Sequence, residues 1–137
     1  IVQYLREIFG NRVGSVLDTC HAAMTEKYMK ALLSEAEFLP KGQLPDKIDY
    51  SMEHYFRIHQ GICRLIHFND FTGNGYAQNH GTPLENEEKA AAWMRFYDKY
   101  AYDCPLTLEI READYKNCVN YRNTLALLDR CYSSITA

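Results

Sequence analysis

Five residues scattered along the chain carry side chains able to hold a divalent cation: Asp18, His21, His67, His80 and Glu109. Asp18 closes the apolar run VGSVLD (13–18), His67 sits near the end of CRLIHF (63–68), and Glu109 lies in LTLEI (106–110). His21 follows Asp18 through the polar turn Thr19-Cys20-His21, while Asn69, Asp70, Arg111 and Glu112 flank the other two. Carboxylates and imidazoles suit Mn, Zn, Co or Mg, and a mixed set tolerates several of these. Each residue alone has a structural explanation. An Asp after a strand caps helices, a buried His hydrogen-bonds within a core, and a terminal Glu is simply solvated. A shared rim would make them a metal centre.

Whether they share a rim depends on the elements that carry them. IVQYLREIF (1–9) has Ile1, Leu5, Ile8 and Phe9 near helical spacing, closed by Gly10-Asn11. VGSVLD and CRLIHF read as short strands, and LTLEI as a third. Between the first two, a helix is expected over 22–38, a proline-containing loop over 39–50, and a second helix from Met52 to near Gly61. Residues 69–83 contain three Gly, three Asn and one Pro and read as a loop, long enough to suggest a function. Thr82-Pro83 then suits a helix start, with Glu85, Glu87 and Glu88 against its positive end. A last helix is expected over 114–131 around Tyr115, Val119, Leu125 and Leu128.

Strands alternating with helices imply parallel pairing through right-handed crossovers, hence an α/β fold. In such folds ligands bind beyond the carboxyl ends of the strands, where the candidate residues fall. Three strands with helices on one side cannot close a barrel and leave two edges open, so the chain reads as incomplete.

The bulk properties narrow the function classes. A chain of 137 residues with 47% hydrophobic content fits one globular domain. Its formal net charge of −3 offers no general attraction to nucleic acid or anionic membrane. No apolar stretch is long enough to span a bilayer, and a cytoplasmic location is expected. Five cysteines without a CxxC pair argue against a disulfide framework and read as reduced, mostly buried thiols. Gly73-Asn74-Gly75 lacks the Lys and Ser/Thr of a phosphate-binding loop and reads as a turn. Trp93 reads as packing.

Taken in order, LDTCHA (17–22), IHFND (66–70), His80 in QNHGTP and PLTLE (105–109) resemble the last three strand motifs of the xylose-isomerase-like barrel superfamily, which joins sugar isomerases and epimerases with endonuclease IV. The resemblance covers most of residues 12–131. It implies that residues 1–137 are the C-terminal portion of one TIM-type (β/α) barrel, containing its strands six to eight. It further implies a divalent metal held by Asp18, His67 and Glu109, with Glu109 also an acid/base carboxylate and His21 and His80 facing the substrate. The family's remaining metal ligand, a Glu ending strand five, has no counterpart here, so the resemblance implies a parent enzyme of which this fragment alone is inactive.

The resemblance leaves three functions open. A sugar or sugar-phosphate isomerase or epimerase would need one metal and a small-molecule substrate. An abasic-site endonuclease is favoured by the wording DTCHA, but it needs a third zinc held by His21 and an Asp-x-His pair. Here Gln78 stands where that Asp belongs, and no basic, aromatic-interleaved run suits a duplex backbone. A non-catalytic ligand-binding barrel fragment is the third. The open edges suggest a homodimer or pairing with an N-terminal half.

Overall fold

The computed structural model describes residues 1–34, 49–72, 80–101 and 103–137. The loop expected at 39–50 falls mostly outside these residues, as do the end of the helix expected to reach 38, the 73–75 turn and Gln78. Helix α1 (Val2–Phe9) runs through a 3₁₀ turn (Gly10–Arg12) into strand β1 (Ser15–Asp18). Helices α2 (Thr19–Ser34) and α3 (Met52–His59) precede β2 (Cys63–Phe68), and two short strands, β3 (Asp70–Phe71) and β4 (His80–Thr82), follow it. Helix α4 (Glu87–Ala101), strand β5 (Leu106–Leu108) and helix α5 (Val119–Thr136) complete the order.

Strands β1, β2 and β5 form one parallel sheet in that spatial order, and β3 pairs with β4 antiparallel. Helical crossovers are what parallel neighbours require. The result is an α/β fold with a three-stranded parallel sheet, compatible with part of a barrel. The register is what matters for chemistry: Asp18 stands opposite His67, and His67 opposite Thr107. Alternation puts Glu109, two residues on, at the next position of that same face.

The core lies on the other face. Leu17, Ile66 and Phe68 point there and are buried against helical residues that include Ala22, Ala23, Phe56, Trp93 and Met94. Phe68 meets the Trp93 ring edge-on at 5.6 Å, so Trp93 is a packing residue as its helical spacing suggests. Val16 and Thr107, on the site face, are exposed.

Three element boundaries differ from the expected ones, each for a local reason. Helix α2 begins at Thr19 rather than 22, because Asp18 Oδ1 accepts the His21 backbone N–H at 3.1 Å and caps the first turn directly after β1. Helix α4 begins at Glu87 rather than at Thr82-Pro83, since Asn86 Oδ1 takes the Lys89 N–H at 2.8 Å while Thr82 belongs to β4. Helix α5 begins at Val119 rather than 114. Asp114 Oδ1 first closes a turn on the N–H groups of Lys116 and Asn117, and Cys118 then adopts a left-handed conformation (φ 49°). Its buried face is Thr124, Leu127, Leu128 and Cys131, whereas Tyr115, Val119 and Leu125 are exposed. In α1, Tyr4, Ile8 and Phe9 are exposed, Val2 and Leu5 are half-buried, and no residue is fully buried.

Candidate metal centre

The capping bond that starts α2 uses one oxygen of Asp18 and leaves the other for the sheet's carboxyl rim. That second oxygen, Oδ2, lies 3.9 Å from His67 Nδ1, and His67 Nδ1 lies 2.9 Å from Glu109 Oε2. One ligand atom from each of Asp18, His67 and Glu109 falls within 4.8 Å of the other two. Ligands bonded to one zinc at about 2.0–2.2 Å stand roughly 3.3 Å apart in a tetrahedron. The triad therefore needs shifts of an ångström or so to close on a cation. Two carboxylates and one imidazole are a suitable donor set for a divalent ion. Side-chain exposure rises from 17% at Asp18 through 33% at His67 to 48% at Glu109, so the centre is closed beneath Asp18 and open beside Glu109.

His80 and His21 complete the cluster. His80 Nε2 lies 3.2 Å from Asp18 Oδ2, and the His80 and His21 rings are 4.8 Å apart, centre to centre. The five residues singled out from the sequence thus lie in one neighbourhood. Others from the same strand ends do not join it. Asp70 is buried and paired with Lys89 Nζ through both oxygens, at 2.6 and 2.7 Å. Glu112 is buried and accepts the Tyr121 N–H at 2.6 Å, within the first turn of α5. Arg111 is exposed, and its backbone N–H donates to Gly81 O at 2.7 Å.

Two residues that spacing did not single out, Thr19 and Gly81, help build the centre, and a third, Cys20, lies beside it. Thr19 is fully buried, and its hydroxyl donates to Asn69 O at 2.7 Å and accepts from Asn69 N at 3.0 Å, tying the start of α2 to the end of β2. Gly81 is buried with φ 79°, and a Cβ there would stand 3.1 Å from Glu109 O. Glycine takes this left-handed conformation without strain, and any side chain there would crowd the segment carrying Glu109. Cys20 is wholly buried with its sulfur 3.4 Å from Met24 Sδ, and that burial pushes its thiol up to about 11, opposed in part by the Gly81 backbone N–H. Its sulfur also lies within 4.8 Å of ligand atoms of Asp18 and His80. A positive-φ glycine beside a candidate His is a signal the sequence cannot mark, because φ is set by the strand pairing.

Among the described residues no helix is long and apolar enough to cross a membrane. The chain's five cysteines are all free thiols. No family model, curated protein or solved structure matches the chain.

Proposed function

We propose that Asp18, His67 and Glu109 hold one divalent cation, and that the chain is the C-terminal part of a (β/α) barrel acting as a sugar or sugar-phosphate isomerase or epimerase. The observation that carries this reading is that three ligand atoms from three separate strand ends lie within 4.8 Å of one another on one rim. The residues fit the ion by donor type, and closing on it takes shifts of about an ångström. When bound, the ion acts as a Lewis acid toward neighbouring substrate oxygens.

The chain's own residues supply the rest. Glu109 is the most exposed carboxylate of the triad and takes or returns the proton at the carbon beside the carbonyl, steadied by His67. His21 and His80 hydrogen-bond a substrate oxygen from the other side of Asp18. The sheet edges at β1 and β5, unpaired among the described residues, accept either a second copy or an N-terminal half that completes the barrel.

The test is to add Mn, Zn, Co or Mg to the metal-stripped protein and follow proton exchange at the carbon next to the carbonyl of aldose and ketose phosphates by NMR. Metal-dependent exchange lost in Glu109→Gln supports the reading. Metal binding that ignores changes at Asp18, His67 and Glu109 overturns it.

A second reading, abasic-site cleavage through several zinc ions, draws on the close approach of His21 and His80. Metal-dependent nicking of a duplex containing an abasic site, abolished in His21→Ala, would favour it over the first.

A further inference from the structure

Cys20 has no role in the centre proposed above, yet it lies beside it. Its sulfur, one Asp18 oxygen and a His80 nitrogen all lie within 4.8 Å of one another. The three come from different places in the chain. Asp18 ends β1, Cys20 sits in the first turn of α2, and His80 opens β4, 60 residues further on. His80 Nε2 lies 3.2 Å from Asp18 Oδ2, so the start of β4 already meets the residue that caps α2.

We propose that Asp18, Cys20 and His80 form a second cation position, selective for a borderline-soft divalent ion such as zinc, cobalt or cadmium, and joined to the first through the shared Asp18 carboxylate. Sulfur, imidazole and carboxylate are a zinc-type donor set, whereas manganese and magnesium prefer oxygen. As the metal–sulfur bond forms, the thiol proton leaves to solvent, and no electron changes hands. One carboxylate between two positions is the usual bridge of two-metal sites, with ions roughly 3.5–4 Å apart. The fourth ligand enters from the half-buried His80 side, because Cys20 is wholly buried. The ion would fasten β4, and with it the imidazole of His80, onto the first turn of α2. The position shares Asp18 with the proposed isomerase centre but needs neither His67 nor Glu109.

Cobalt(II) titration of the metal-stripped chain tests it, because a cobalt–thiolate bond gives a near-ultraviolet charge-transfer band that oxygen and nitrogen ligands do not. The wild type should bind two cobalt ions and show the band. Cys20→Ser should lose the band and retain one ion, while His67→Ala should keep the band and lose the other ion. The double variant Cys63→Ser/Cys104→Ser should keep the band, since those thiols are not in this cluster. Should Cys20→Ser fail to fold by far-ultraviolet circular dichroism, His80→Gln decides: a weakened or shifted band supports the site, and an unchanged band overturns it. Cobalt binding with no band, no cobalt binding at all, or a band lost only with Cys63 and Cys104, also overturns it. A single bound ion that shows the band would support this position and count against the Asp18–His67–Glu109 one.

Discussion

Thr19 and Asn69 exchange hydrogen bonds in both directions, the Asn69 N–H donating to Thr19 Oγ1 at 3.0 Å and the hydroxyl donating to Asn69 O at 2.7 Å. The contact joins the residue after Asp18 to the residue two past His67, so it sets how the two ligands face each other. Both partners are wholly buried.

Thr19→Val keeps the shape but leaves the Asn69 N–H buried without an acceptor. Urea denaturation should show a loss of about 1–3 kcal/mol, and metal affinity should fall with it. The Asn69 side chain is a different matter, because neither of its amide atoms has a hydrogen-bond partner among the described residues. Asn69→Leu should therefore be neutral or stabilising on the same assay, and a loss as large as that of Thr19→Val would show that the amide has an unseen partner.

Metal should stabilise the folded chain through Asp18. At a concentration about a hundredfold above Kd, a bound ion adds roughly 2.7 kcal/mol, or about 10 °C in Tm for a domain this size. Chelation should remove that increment from the wild type and leave Asp18→Ala unmoved. An equal response of the two proteins in a thermal melt would place the metal elsewhere.

Acid should destabilise the protein in part through His59. Its Nδ1 lies 2.8 Å from Ser15 Oγ, and burial lowers its pKa below the ordinary histidine value. The folded state therefore binds a proton less readily than the unfolded chain, so stability is intact above about pH 6.5, falls as the pH drops below that value, and levels off beneath the folded pKa. His59→Gln should flatten this part of the stability–pH curve, as measured by chemical denaturation between about pH 7 and 5. Superimposable slopes for the two proteins would show that His59 does not contribute.

Lys89 neutralises a buried carboxylate. Asp70 is 8% exposed and is held by Lys89 through both oxygens. Lys89→Met should cost roughly 3 kcal/mol, because it leaves that charge alone, and adding Asp70→Leu should recover much of the loss. A double-mutant cycle reads this directly, and additive losses would mean the pair is not coupled.

Much of this arrangement was legible in residue order. Apolar runs ending in Asp18, in His67 with Asn69-Asp70, and in Glu109 predict strands with polar carboxyl ends, and the helical patterns between them predict a parallel sheet. The sheet is observed with those strands in chain order. Helix starts were less legible, because a cap is one side chain among several of the right type. Asn86 rather than Thr82 caps α4, and the Asp114 turn with left-handed Cys118 delays α5 to Val119.

The sequence by itself determined the chemistry on offer: which strand ends carry carboxylates and imidazoles, and that a shared rim would join Asp18, His67 and Glu109. Periodicity and spacing are local, and they suffice for that. Only the tertiary structure decided which neighbouring groups join the rim. It sends Asp70 to Lys89 and Glu112 to the Tyr121 N–H, folds His80 back onto Asp18 beside a left-handed Gly81, and leaves Cys20 beside both. Those outcomes depend on contacts between residues up to 62 positions apart, and on backbone angles that packing imposes. No spacing rule along the chain carries that information.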